Sequence, residues 1–94
     1  MALHQITDVT ITATATAISS TSVRASTVIL QAISLAGTAR VGDSTVTTTS
    51  GLALQTTKDT IILPPLGNTR TYDLSTIYVI GTANDKMAVS YNTD

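Results

Sequence analysis

Cysteine, phenylalanine, tryptophan and glutamate do not occur in this chain of 94 residues, and tyrosine occurs only three times. Without cysteine no disulfide can staple the fold, and no ligand spacing suggests a structural metal. Charged residues are 12% of the chain, about half the usual share, so the surface has to be built mostly from Thr, Ser, Ala and Asn. The five basic residues are scattered and the net charge is −1. That excludes the clustered Lys and Arg that nucleic-acid binding requires. No run approaches the roughly 20 apolar residues of a membrane helix. The opening Met1-Ala-Leu-His-Gln5 lacks the basic start and apolar run of a signal peptide, so synthesis in the cytoplasm is the expectation.

Valine, isoleucine and leucine number 24 of the 94 residues, above the level of a disordered chain. A single domain of this length hides roughly 60–65% of the surface its unfolded chain exposes. With so few aromatics its core is thin, and association with other chains is the remaining way to add buried area. Depletion of charge is also what the centre of an interface shows.

The chain reads as strands throughout. Residues 1–8 have no strong period and read as an N-terminal arm, leaving residues 9–94 as one β domain. Val9 to Ile18 alternates strictly, with Thr10, Thr12, Thr14 and Thr16 on one face of a strand and Val9, Ile11, Ala13, Ala15 and Ala17 on the other. Thr27 to Leu35 has near-helical spacing at Ile29, Ile33 and Ala36, but its β-branched content and the Ala36-Gly37 stop favour a strand. A short return strand over Thr38–Gly42 and an edge-like segment over Thr45–Thr49 follow. Leu52–Thr56 and Thr60–Leu63 flank Thr57-Lys58-Asp59 like the arms of a hairpin. Pro64-Pro65 ends strand pairing, because proline has no N–H to donate. The loop from Pro64 to Tyr72 is the longest. Finally, Ile77–Ile80 and Met87–Tyr91 flank Gly81-Thr-Ala-Asn-Asp85, which reads as a β-hairpin at the centre of the fold. Short strands with turn signals every few residues predict an all-β fold, a small antiparallel β-sandwich or jelly-roll-like barrel with an extended N-terminal arm.

No catalytic residue and no cofactor site emerges. The only histidine, His4, lies in the arm. Most of the aspartates adjoin Gly, Ser, Thr or Asn, where a carboxylate serves to cap turn amides. Phosphate-loop and nucleophile motifs are missing. The Thr10–Thr16 row resembles those of ice-binding proteins, but such arrays repeat on neighbouring strands, and only Thr45, Thr47 and Thr49 offer a second row. Arg70 and Tyr72 in the long loop are residue types that concentrate binding energy at interfaces.

The order Val28-Ile-Leu-Gln-Ala32, Ala39-Arg-Val-Gly42, Ser50-Gly-Leu-Ala-Leu54, an Ile-Ile-Leu strand before the prolines, Asp73-Leu-Ser-Thr-Ile-Tyr-Val-Ile-Gly81 and a closing Val-Ser-Tyr resembles small structural proteins of tailed-phage virions. The resemblance runs from Thr27 to Tyr91, about two-thirds of the chain, and is to head decoration (cement) proteins and their relatives. It implies a non-enzymatic protein on the outer capsid surface of the virion, made in the host cytoplasm, whose partners are the major capsid protein and itself as a homotrimer. Such proteins reach neighbouring subunits with terminal arms. That would give a bridging role to Leu3, His4 and Ile6 in the arm and to Thr10, Thr12 and Thr14 in the first strand; in the loop, Leu66, Arg70 and Tyr72 are the partner-binding candidates, apart from the resemblance. A neck, tail or fibre-attachment part is an alternative position in the same particle. A carbohydrate-binding β-sandwich is the alternative from another class, and the shortage of aromatic platforms counts against it. Replacing Arg70 by Ala is expected to weaken retention on the partner. Unchanged retention in a pull-down would refute a role for that side chain.

Overall fold

A computed structural model describes residues 2–64 and 71–93. The strands are β1 (Ala2–Thr10), β2 (Thr16–Ala17), β3 (Arg24–Ala25), β4 (Thr27–Ser34), β5 (Ala39–Gly42), β6 (Leu52–Leu54), β7 (Thr60–Leu63), β8 (Tyr72–Asp73), β9 (Tyr78–Ile80) and β10 (Lys86–Thr93), with a 3₁₀ turn over Leu74–Thr76. They form two four-stranded sheets, β1-β10-β4-β7 and β2-β9-β5-β6, and β3 pairs with β8 in a small ribbon. Every pairing is antiparallel. First pairs with last (β1 with β10, β2 with β9), and the middle strands pair with each other (β4 with β7, β5 with β6). That is a long hairpin wrapped over itself, the jelly-roll form of a β-sandwich. The all-β expectation therefore holds.

The alternation of β4 and β10 explains the packing. Val28, Leu30 and Ala32 point inward from β4, and Met87 and Val89 point inward from β10. They meet Val41, Leu54 and Val79 from the other sheet, with Ile11, Ile18 and Leu74 closing the ends. Ile77, Val79 and Ile80 are buried, as an apolar run with no polar alternation requires.

Four readings from the sequence change. Residues 2–8 do not form an arm: Ala2–Thr10 is a strand, registered on β10 from Ala2↔Thr93 to Thr10↔Lys86, with a bulge between Ile6 and Val9. The bulge breaks the period of two, which is why the segment shows no clear alternation. The Val9–Ile18 strand does not exist as one piece. Its chain leaves one sheet after Thr10 and joins the other at Thr16. The Thr45–Thr49 segment makes only a single bridge, Thr47 to Ser50.

The fourth change is the largest. Neither apparent hairpin pairs with itself. β6 and β9 lie in one sheet while β7 and β10 lie in the other, so the segments 55–59 and 81–85 are arches between sheets. The two arches are built alike. In Thr56-Thr-Lys-Asp59 and Thr82-Ala-Asn-Asp85 the fourth N–H donates to the first carbonyl, at 3.1 and 3.2 Å. The third residue of each, Lys58 or Asn84, has φ of 74°. Asn tolerates this left-handed conformation better than most residues, and Lys does so at a cost. Each arch then sets two residues against one on the neighbouring strand, the geometry of a β-bulge. Ala32 donates to the Asp59 carbonyl (2.9 Å) and accepts from Lys58 N–H (2.8 Å). Ile11 donates to the Asp85 carbonyl (2.7 Å) and accepts from Asn84 N–H (3.1 Å). Gly81 N–H donates to the Thr12 carbonyl at 3.0 Å, and a Cβ at Gly81 would meet Ile11 Cγ2 at 3.0 Å and the Ala39 backbone at 3.2 Å. At this close approach of chain to chain a Cβ would be tighter than ordinary van der Waals contact, which favours glycine there.

Ile11 is therefore a junction residue and not one member of a shallow apolar row. Its side chain is fully buried, whereas Ala13 is exposed. Ile11→Ala is expected to cost about 2–5 kcal/mol in denaturant unfolding, while Ala13→Ser stays within about 0.5 kcal/mol. Equal effects at the two positions would contradict this placement.

Candidate interaction surfaces

The bridging candidates scatter once the strands are in place. On β1 the pleat separates them. Leu3 points away from the sandwich and is 66% exposed, whereas Ile6 is half-buried against the core. His4 lies in register with Tyr91, its ring stacked on the tyrosine ring with centroids 5.2 Å apart, and Nε2 is 3.3 Å from the Thr93 hydroxyl. Thr10 accepts from Lys86 Nζ at 2.8 Å. The row expected of Thr10, Thr12, Thr14 and Thr16 is not formed. The Thr12 hydroxyl donates to the Thr14 carbonyl (2.7 Å), Thr14 N–H returns to the Thr12 hydroxyl (3.3 Å), and the Thr16 hydroxyl donates to the Thr14 carbonyl (2.9 Å). These hydroxyls hold a turn, as Thr side chains do when a strand breaks off. Leu66 and Arg70 lie outside the described residues. Tyr72 is half-buried, and its hydroxyl donates to the Pro64 carbonyl at 2.6 Å, so it braces the base of the long loop.

Asp43, Asp59 and Asp73 cap turns, as their neighbours in sequence predict. Asp43 accepts from the Thr45 hydroxyl and N–H, which hold its carboxyl below the usual range. Asp59 accepts from the N–H groups of Thr56 and Gln55 and from the Thr56 hydroxyl, and is lowered for the same reason. Asp73 has the strongest set. The Ser22 hydroxyl reaches Oδ2 at 2.6 Å, and the Ser75 hydroxyl and N–H reach Oδ1 at 2.8 and 3.0 Å. With Arg24 across the β3–β8 pair adding its charge, these bonds bring Asp73 down to about 2. Asp85 is buried at the arch, where its Oδ1 accepts from Ala36 N–H at 3.0 Å. Among the described residues no three His, Cys, Asp or Glu side chains converge.

What the residues do bring together is a face. On the outside of the β1-β10-β4-β7 sheet the register aligns Leu3, Asn92 and Thr27 in one row, Gln5, Ser90, Ile29 and Ile62 in the next, and Ala88, Gln31 and Thr60 in a third. None of these carries a charge. Lys86 and the bulge residue Asp8 mark the arch end of the face. Ile62 is 61% exposed, and Ile33, bulged out of β4, is 40% exposed. The opposite sheet differs: Arg40 lies on its outer side, with Nη1 3.1 Å from the Gly51 carbonyl. The sequence reading missed Ile29 and Ile62 because both sit in apolar runs that look buried on both sides. Only the cross-strand register shows that the odd-numbered positions of β4 and the even-numbered positions of β7 point outward.

Comparison of the chain with models of known protein families, with curated proteins and with solved structures finds no match. The resemblance to virion decoration proteins therefore stands on the residues quoted for it.

Asp73 ties β8 to the segment before β3, and this tie depends on pH. A carboxyl with folded pKa about 2 and an unfolded value near 3.9 contributes stability that is complete above the unfolded value. The contribution is lost as pH falls through the folded one. Asp73→Asn is expected to lower Tm at pH 6, with the gap to the parent closing between about pH 4 and pH 2. A gap that is constant with pH would show that the charge contributes nothing.

Proposed function

We propose that this chain is a non-enzymatic structural protein of a phage particle, a decoration protein that binds the outer surface of the head and stabilises the shell. The observation that carries the reading is the outer face of the β1-β10-β4-β7 sheet, where three successive rows of side chains carry no charge before Lys86 at the arch end, with Leu3 and Ile62 at its two edges. A solvated sheet face of ten residues ordinarily carries charge, and its depletion is a property of interface centres. The mixture of aliphatic, amide and hydroxyl side chains suits a broad, flat contact. The thin core points the same way, since a small domain without disulfides gains stability by docking.

The mechanism is clamping by linkage. A protein that binds only the assembled shell favours that state in proportion to its occupancy. A symmetric lattice repeats the contact many times, so each copy needs only modest affinity. The jelly roll supports this reading without deciding it, because the same architecture serves capsids, lectins and enzymes. A neck or tail component is the second reading, and copy number separates the two. Quantitative mass spectrometry of particles carrying the chain should give hundreds of copies for a decoration protein and tens or fewer for a neck or tail part. Particles stripped of it should release their contents at a lower temperature than intact ones. Equal heat resistance would remove the stabilising role.

A further inference from the structure

The four edges of the two sheets are unequal. β2, β6 and β7 are edge strands of two, three and four residues. β7 runs directly into Pro64-Pro65. Shortness and a flanking proline are common devices that keep an edge from pairing with another chain. β1 is an edge strand of nine residues. From Ala2 to Ile6 it contains no Lys, Arg, Asp, Glu or Pro, and it keeps an unbroken register on β10. The protective devices appear only afterwards, as the bulge between Ile6 and Val9 and the charge of Asp8. Among the described residues, one row of backbone N–H and C=O groups along residues 2–6 is thus left open beside an uncharged surface.

We propose that residues 2–6 of β1 pair antiparallel with the same residues of a second copy of this chain, across a two-fold axis at His4. A second copy is the occupant because the strand is compatible with itself: Ala2 to Ile6 has no Lys, Arg, Asp or Glu to repel its like, and parity then sets the register. In an antiparallel pair, facing residues project to the same side of the sheet. Across a two-fold axis perpendicular to the sheet, the outer face must meet the outer face. Facing residues then differ by an even number, and the axis passes through a residue and not between two. Of the allowed centres, His4 uses all five open positions: Leu3 faces Gln5, Ala2 faces Ile6, and His4 faces its own copy. Each Leu3, 66% exposed in the single chain, gains a Gln5 side chain beside it. No Lys, Arg, Asp or Glu side chains meet in the pair. The two four-stranded sheets become one continuous sheet of eight strands. The uncharged face doubles in width and presents two equivalent docking surfaces to one partner. This pairing does not depend on what that partner is, so it stands apart from the virion reading. It also departs from the trimer that the family resemblance implies.

Sedimentation velocity tests the pairing. The chain should run at twice its monomer mass of 9.7 kDa. Leu3→Lys/Gln5→Lys, which places lysines face to face twice in the pair, should raise the dissociation constant at least about tenfold. Ile62→Lys, on the far edge strand β7, should leave it within about twofold. Amide exchange of the parent protein supplies a second measurement that needs no variant: protection over residues 3–6 should rise with protein concentration, while that of β7 should not. A monomer at every concentration up to about a millimolar would overturn the proposal. So would a trimer, or a dimer indifferent to the lysine pair and sensitive to Ile62→Lys. If circular dichroism shows the double variant unfolded, the exchange pattern decides, and concentration-independent exchange at residues 3–6 overturns the proposal.

Discussion

Two residues, Ile11 just beyond the end of β1 and Ala32 within β4, hold the sandwich shut. Each exchanges a pair of backbone hydrogen bonds with the turn of an arch that has just crossed from the other sheet. These bonds do what hairpin turns do elsewhere: they fix the register of the strand that follows. The arch at 81–85 starts β10 with Thr10 facing Lys86, and the arch at 55–59 starts β7 with Thr60 facing Gln31. Register in a sheet decides which side chains face inward, and a slip of one residue would expose Met87, Val89 and Ile61 together. A core without Phe or Trp has little slack for such an error. The fold thus depends less on the size of its apolar side chains than on where two bulges put them. The buried Asp85 adds a further tie, since its carboxylate reaches Ala36 in the connection between β4 and β5.

What the sequence made legible is local. The strand character of Thr27–Ser34, Thr60–Leu63 and Lys86–Thr93 shows in β-branched content and alternation, and the turn-capping role of Asp43, Asp59 and Asp73 shows in their neighbours. What stayed hidden is which strands pair. A run, a five-residue turn and a second run look the same whether the strands fold back on each other or arch over to another sheet. The distinguishing bonds go to Ile11 and Ala32, which are remote in sequence. The repeated Thr-x-x-Asp with a left-handed third residue was present as a signal, but Lys58 disguised it, because lysine is uncommon in that conformation. The Thr10–Thr16 row misled for a related reason. Period two in side-chain type survives in a stretch that is partly strand, partly turn, and there the hydroxyls serve the turn.

The same register that closes the core also composes the outer face. Leu3, Gln5, Ser90, Ile29 and Ile62 come from four segments spread over the whole chain, and no window of sequence contains the surface they make. The functional reading therefore rests on the arches. If β9 and β10 paired as a hairpin, β10 could not hold both β1 and β4, and Leu3, Ser90 and Ile29 would not share a face. The exposed β1 edge has the same origin, because β10 can accept β1 on one side and β4 on the other only when it is free of β9.

Native-state amide exchange at the arch junctions tests this dependence most directly. The N–H groups of Ile11, Ala32, Lys58 and Asn84 are the donors that join arches to strands. If the arches hold the sandwich shut, these four exchange only through global unfolding, with an opening free energy equal to that from denaturant. Exchange of Lys58 and Asn84 as fast as that of exposed loop amides, while β4 and β10 stay protected, would contradict the account.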